Sequence, residues 1–340
     1  MTKTEQTRAT NELARIDDVL ERYGRPGPHA TVIMQFPAPG QIGDDRRVRW
    51  HVRRSELVAA GAEDAALINL DVLVDALEPR GEWVLLTADG TDATFCWLTD
   101  HTVSHLAHVG ACPSLLAALD ELTDRTPVVV AVVDHLGADL FELDHLDLVE
   151  IGSVKGDHVQ THRHTGGNHD GYQRRVEAVY ERNADTIARQ ITAHALHAGA
   201  RLVVLTGDDR EAAAVTDHLD PHRFDVSTVQ AGARHDAHVA DRVRHAAIDR
   251  SLEDRRMRRS AAVDHLREEL GRHALGVQGR ADTAAAISES RVATTFLDRT
   301  AAVAADALAR DTLLFGGTVV VADDLGVTDG VAAIVRYTTQ

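Results

Sequence analysis

Apolar and polar positions along this chain switch between two periods, and each switch predicts a change of element. The polar opening stretch is helical in pattern over 1–22, closing at Arg22-Tyr23-Gly24 with Pro26 and Pro28 beyond it. HATVIMQF, 29–36, reads as a strand closed by PAPG. Residues 46–76 read as helical, with Val48, Val52, Leu57, Leu67, Val72 and Leu73 as a loose apolar face. Two short strands, 83–86 and 93–98, flank the turn Ala88-Asp89-Gly90-Thr91 as a hairpin. From Pro127 the pattern changes. Residues 128–133 form an uninterrupted apolar run, which predicts a central strand buried on both faces. After the turn Asp134-His135-Leu136-Gly137, residues 138–143 return as a second strand. A strand over 201–206, a helix over 209–219 and a strand over 224–230 follow. Residues 235–274 are charged and mostly helical, with Leu252, Met257, Val263, Leu266 and Leu270 as apolar punctuation. The tail alternates helix 281–288, strand 291–297, helix 304–315 and strands 318–322 and 330–336. Strands and helices in this order predict a mixed α/β (α+β) chain.

One stretch organises the middle of the chain. HVQTHRHTGGNHDGYQRR, beginning at His158, shows no apolar period and reads as a loop whose Gly166-Gly167 frees the backbone. It runs into a long amphipathic helix, in which Val176, Tyr180, Ala184, Ile187 and Ile191 recur at helical spacing and are expected to face a core. Arg175, Arg182 and Arg189 fall seven apart, on one stripe of another face. Imidazoles and guanidiniums around a supple tip suit contact with phosphates. The alternative for the stripe is a solvated face in which Glu177, Glu181 and Asp185 pair with the arginines.

Composition changes this picture in three ways. The net charge of −17 argues against indiscriminate nucleic-acid binding, yet 151–200 holds six Lys and Arg against five Asp and Glu, with six His, so this window stands apart from its acidic surroundings. At 340 residues the chain predicts two or three domains, and 4% aromatic content predicts no extensive base-stacking platform. Two cysteines, Cys96 and Cys112, outside any CxxC pair fit a reducing cytosol rather than a disulfide framework or a cysteine zinc site. No apolar run reaches membrane-spanning length and the polar opening stretch shows no signal-peptide core, so a cytoplasmic protein without membrane contact is expected.

Candidate chemistry is sparse. No Walker A, GxGxxG, GxSxG or HExxH motif is present. Asp134 ends the predicted central strand with Asp139 and Asp144 nearby, and carboxylates on adjacent strands can hold metal ions for phosphodiester cleavage, which leaves a metal-dependent nuclease as a lower-ranked reading. His158, His162, His164 and His169 have spacings that could collect a metal, but they lack matching Cys or carboxylate ligands, and RNA contact is the preferred reading. The run Asp254-Arg255-Arg256-Met257-Arg258-Arg259 reads as a solvated helix face, with a partner or RNA contact as the alternative.

The order VVVAVVDHLGADLFEL, IGSVKGD, a Gly-Gly loop and RRVEAVYERNADTIARQI resembles the middle domain of the archaeal and eukaryotic class 1 peptide release factors. The resemblance is closest to their bacterial branch of mycobacterial and Balon-type homologues. AVDHLREELGRHALGVQGRADTAAAISESRVATTFL and GVTDGVAAIVRY resemble that branch's third domain. The resemblance implies three domains: 1–126, an N-terminal α/β domain; 127–275, a mixed-sheet middle domain with its loop and a connecting helix; and 276–340, a domain like ribosomal protein L30e. It further implies occupancy of the ribosomal A site, with the first domain at the decoding centre, the loop toward the peptidyl transferase centre, and the third domain contacting partner factors.

The chain departs from that family at the loop tip, which reads Gly166-Gly167-Asn168 where release factors carry Gly-Gly-Gln. An amide one methylene shorter misses by roughly an ångström, where such errors cost about a hundredfold. No stop-codon motif such as NIKS is seen in the first domain. The resemblance thus implies a non-catalytic hibernation factor on idle 70S ribosomes, with 23S and 16S rRNA and elongation factor Tu as candidate partners and with no DNA, cofactor or metal. A peptidyl-tRNA hydrolase acting in release or ribosome rescue is the alternative. The expected RNA-contacting residues are Lys155, His162, Arg163, His164, Gly166, Gly167, Asn168, His169, Tyr172, Arg174, Arg175, Arg182 and Arg189; none is expected to be catalytic.

Overall fold

A computed structural model describes residues 21–338 apart from 23, 26, 40–44, 99–102, 117, 120–125, 145, 158–168, 233, 235 and 237. The chain is a mixed α/β protein with three sheets. Its internal packing divides it into two compact units, one of Met1–Asp124 with Arg256–Gln340 and the other of Arg125–Arg255. The helix expected over 1–22 lies outside the described residues except at Glu21 and Arg22, which are helical.

In the first unit, β1 (His29–Gln35), β2 (Trp83–Ala88), β3 (Ala93–Leu98) and β4 (Leu106–Gly110) form an antiparallel sheet in the order β3-β2-β1-β4. All of β1 but Gln35 is buried, because both faces of this sheet are covered, so HATVIM shows no alternation. The hairpin expected around Asp89-Gly90 is present, and each of its strands pairs through the register Trp83–Leu98 to Ala88–Ala93. The strand β4 was not legible in the sequence pattern: all five of its residues are half-buried.

The helix expected over 46–76 is two helices, α1 (Asp45–Ala59) and α2 (Asp64–Ala76). Gly61, at a positive φ of 87°, ends the first, with its N–H donating to Val58 O at 3.1 Å and the next N–H, of Ala62, donating to Leu57 O at 2.9 Å. This is a Schellman closure, which a glycine accommodates without strain. The apolar face also differs from the expected one. Val48 and Val72 are 62% and 67% exposed, whereas Trp50, Leu57, Leu67, Leu70 and Val74 are buried. Trp50 decides the rotation of α1: its ring is buried while its indole N–H donates to Asp71 Oδ1 on α2 at 2.7 Å.

The same unit holds the tail of the chain. Strands β10 (Gly276–Gln278), β11 (Val292–Asp298), β12 (Thr318–Ala322) and β13 (Val331–Val335) form a sheet ordered β10-β13-β11-β12, with β11 and β12 parallel. One apolar core joins Ile33, Leu85 and Leu98 of the first sheet to Ile287, Leu297, Leu308 and Val321 of the tail. Inside it sits a buried carboxylate. Asp306, on a helix over Ala302–Leu314, accepts from Ser114 Oγ at 2.7 Å and from the N–H groups of Leu115 at 2.9 Å and Leu116 at 3.3 Å. Ser114 N–H in turn donates to Thr31 Oγ1 at 3.1 Å.

The second unit is built on a mixed five-stranded sheet, β7-β6-β5-β8-β9. Its strands are β5 (Val128–Asp134), β6 (Gly137–Asp144), β7 (Asp147–Lys155), β8 (Leu202–Gly207) and β9 (Asp225–Thr228). β5 is central as expected, antiparallel to β6 and parallel to β8. One face carries α3 (His169–Ala198) and α4 (Asp209–Asp217); the other carries the first part of α5 (Val239–Gly271). Two later helices, α6 (Arg280–Ser288) and α7 (Ala302–Leu314), belong to the tail. β7 was missed in the sequence because it is an edge strand whose positions are mostly half-buried or exposed, with no clean alternation. On α5, Val263 and Leu266 are buried, whereas Met257 is exposed. In the run Asp254-Arg255-Arg256-Met257-Arg258-Arg259, Arg255 is buried, which departs from a wholly solvated face.

Burial raises the Asp306 carboxyl from its ordinary 3.8 to about 6, against the pull of its three donors. A folded pKa above the unfolded one contributes stability that is complete below about 3.8 and lost as pH rises through about 6, roughly 3 kcal/mol in all. From pH 4.5 to 7 the wild type is therefore expected to lose about 2 kcal/mol more than Asp306→Asn in urea unfolding. Parallel pH profiles for the two proteins would refute this role for Asp306.

Candidate nucleic-acid interface

The helix α3 is seated by small and branched residues on one face. Ala184, Ile187, Ala188, Ile191 and Ala195 are buried against β5, β6 and β8, together with Val129, Ala131, Val133, Leu140, Val203 and Leu205. Spacings of three and four residues put these side chains on a single seam. Three alanines in that seam let the helix lie close to the sheet. Of the expected core positions, Ala184, Ile187 and Ile191 are buried, but Val176 and Tyr180 are only half-buried. Tyr180 is instead covered by the Arg210 guanidinium of α4, 5.4 Å from the ring centre.

The opposite face carries the arginines. Arg174, Arg182 and Arg189 are all exposed. Arg182 donates from Nε to Ala178 O at 3.0 Å. Arg189 pairs with Asp185 four residues earlier, with its side chain still 71% exposed. An exposed i,i+4 pair of this kind is worth under about 0.5 kcal/mol, so it does not commit the guanidinium. Of the other expected acidic partners, Glu181 pairs with His218, the residue just after α4, at 3.0 Å. Lys155, at the end of β7, is exposed. The side chains of His169, Tyr172 and Arg175 lie outside the described residues, although all three belong to α3. His158, His162, Arg163, His164, Gly166, Gly167 and Asn168 also lie outside them.

At Gly156 and Asp157, just past the end of β7, an unforeseen side chain holds the backbone. Asn183 of α3 is buried. Its Oδ1 accepts from Asp157 N–H at 2.8 Å; its Nδ2 donates to His135 O at 3.3 Å and to Asp157 O at 3.2 Å. Gly156 N–H donates to Leu136 O at 2.7 Å, and a Cβ placed on Gly156 would lie 2.6 Å from Asn183 Nδ2. The sequence carried a faint signal: a lone amide beside Ala184, within the apolar seam.

The carboxylates expected to group on adjacent strands are organised by an arginine. Asp139 accepts from Arg234 Nε at 2.7 Å and NH2 at 2.5 Å, and Asp134 accepts from its NH1 at 3.4 Å. Asp134 also accepts from Leu136 N–H at 2.7 Å. The hydrogen bonds to Asp139 hold Arg234 above its ordinary pKa. Asp144 lies at the other end of β6, opposite Asp147, and is exposed. Asp134 and Asp139 therefore bind a guanidinium, which corrects the reading of all three aspartates as one metal-binding set. Among the described residues, no group of three or more His, Cys, Asp or Glu is arranged to hold a metal ion. No described helix is long and apolar enough to cross a membrane.

Residues 127–272 match the family model of bacterial archaeo-eukaryotic release factor family 2. The matched segment contains β5 to β9 and α3 and is similar to that family over this length. No curated protein matches the chain. Similar solved structures include an archaeal translation termination factor, aRF1, at 13% identity and a TM-score of 0.27, covering 99% of each chain. Archaeoglobus fulgidus Pelota is similar at 11% identity and a TM-score of 0.42, covering 96% of this chain and 93% of that one. A ribosome-bound archaeal Pelota is similar at 11% identity and a TM-score of 0.45, covering 96% and 95%.

Arg234→Met is expected to lower the stability of this protein by about 3 kcal/mol, because it leaves two part-buried carboxylates facing each other without their cation. The melting midpoint of the wild type is expected to stay within about 1 °C on adding millimolar Mg²⁺ or Mn²⁺, since a resident guanidinium leaves nothing for a cation to stabilise. A metal-induced rise in that midpoint would restore the nuclease reading.

Proposed function

We propose that this protein is a ribosome-binding translation factor that occupies the A site of idle 70S particles without catalysing a reaction. The observation that carries this reading is the outward row of Arg174, Arg182 and Arg189 on α3, inside the segment that matches a release-factor family. Guanidiniums fixed on a rigid helix position a protein on phosphates without reading sequence. The charge of −17 on the whole chain limits non-specific RNA binding and leaves affinity to these placed contacts.

In this reading the chain works as three parts. Residues 1–126 face 16S rRNA near the decoding centre. Residues 127–275 carry Lys155, the 158–168 segment and α3 toward 23S rRNA. Residues 276–340 meet a partner factor, with elongation factor Tu as the candidate, and the protein works in the cytoplasm during stress. Asn168 supports the absence of catalysis, because its amide stops one methylene short of glutamine's reach. The same amide is what favours the second reading, peptidyl-tRNA hydrolysis.

Two measurements decide between them. The protein is expected to co-sediment with 70S ribosomes, and Arg174→Glu, Arg175→Glu and Arg182→Glu together are expected to weaken binding at least a hundredfold and to flatten its salt dependence. Unchanged co-sedimentation of that triple variant rejects the role given to α3. On stalled ribosome complexes no peptide release is expected at any concentration; release that disappears in Asn168→Ala would make the protein a hydrolase.

A further inference from the structure

We infer that the outer face of the α1–α2 hairpin joins two copies of this chain in a twofold dimer. Five of the eleven large apolar side chains exposed among the described residues fall on these two consecutive helices. They are Val48, Val52 and Val58 on α1 and Ile68 and Val72 on α2. Val48 and Val52 are four apart, as are Ile68 and Val72, so each helix carries an outward apolar stripe. Both helices already bury another face, through Trp50 and Leu57 on α1 and Leu67, Leu70 and Val74 on α2. The valines that helical spacing marks as a core face are therefore a second apolar face, held outward by the bond from Trp50 to Asp71. Branched aliphatic side chains gathered in this way on one exposed helix pair mark an interface.

Charge selects the occupant. α1 carries five arginines against Asp45 and Glu56, whereas α2 carries Asp64, Asp71 and Asp75 and no cation. A polyanion such as RNA would meet the aspartates of α2, and a basic partner would meet the arginines of α1. A second copy matches both. A twofold axis along the helices seats α1 of each copy on α2 of the other, so basic faces acidic twice. The register within the hairpin agrees. Trp50 bonds Asp71 at 2.7 Å and Arg46 meets Asp75 at 3.7 Å, which puts Val48 level with Val72 and Val52 level with Ile68. An axis in that direction preserves each level. It sets Val48 against Val72 of the partner subunit and Val52 against Ile68 of the partner subunit. Arg47 and Asp75, 4.0 Å apart within one hairpin and both exposed, stand at the rim, where they can exchange partners across the axis. The patch lies at the small end of specific interfaces, so association in the micromolar range is expected. None of this depends on ribosome binding.

Sedimentation equilibrium of the full chain tests the dimer. Between about 1 and about 100 µM the wild type is expected to pass from monomer to twice that mass. Val48→Lys and Val72→Glu are each expected to raise the dissociation constant by about tenfold or more. Combined in one chain, they set opposite charges against each other across the axis, and the constant is expected to return to within about threefold of wild type. Both valines are exposed, so melting midpoints taken where the wild type is monomeric are expected to be unchanged in every variant. A wild type that is monomeric throughout overturns the dimer. Loss of 70S binding in the single variants would then give this face to the ribosome, and a lowered melting midpoint would give it to another part of the same chain. A wild-type dimer that both single variants leave intact places the interface elsewhere and overturns the inference. Weakening without recovery in the double variant overturns the twofold register.

Discussion

The seating of α3 on the central sheet is the contact from which the rest of the second unit follows. Ile187 and Ile191 each bring roughly 2 kcal/mol of buried aliphatic surface, and the neighbouring alanines allow the helix close to β5 and β6. A helix fastened along one seam has its rotation determined. Arg174, Arg182 and Arg189 then emerge on the outer face without any contact of their own being needed to aim them. Only apolar burial is strong enough for this. The ion pair of Arg189 with Asp185 on that face is exposed and worth a few tenths of a kcal/mol.

The two units solve the burial of polar groups in different ways. The first accepts a carboxylate, Asp306, into the core that its two sheets share, and satisfies it with one hydroxyl and two backbone amides. The second gathers several of its polar groups at one end of the sheet. There, Arg234 neutralises Asp134 and Asp139, and Asn183 gathers backbone groups from three elements. This arrangement leaves the sheet's interior wholly apolar at β5 and concentrates directional bonds beside the segment to which we assign ribosome contact. Directional bonds hold geometry; apolar burial supplies most of the stability.

Much of this was legible in the amino-acid order. β5 and β8 are continuous apolar runs, and a strand buried on both faces has no other way to look. The seam of α3 could be read to within two residues, because Ala184, Ile187 and Ile191 repeat at helical spacing while Val176 and Tyr180, nearer its start, are covered less completely. The mixed α/β class, the hairpin at Asp89-Gly90 and the helices and strands of the tail followed from the same local rules. The resemblance to class 1 release factors rested on segments of this middle region and of the tail, and the family model matches the middle part, 127–272.

What the linear order could not decide was which distant groups would meet. Periodicity describes a residue's own element. It is silent about a pair such as Arg234 and Asp134, a hundred positions apart, or Asn183 and His135, 48 apart. It misjudged α1 for the same reason: Val48 and Val52 look like a core face until Trp50 finds Asp71 on the neighbouring helix. Edge strand β7 has no pattern of its own, since its form comes from the ladder offered by β6. Local spacing thus determined the elements and their apolar faces, because burial acts on each side chain separately. Tertiary structure alone decided the clamp at Asn183 and the fate of the paired aspartates, because hydrogen bonds and ion pairs exist only once both partners have been brought within about 3 Å.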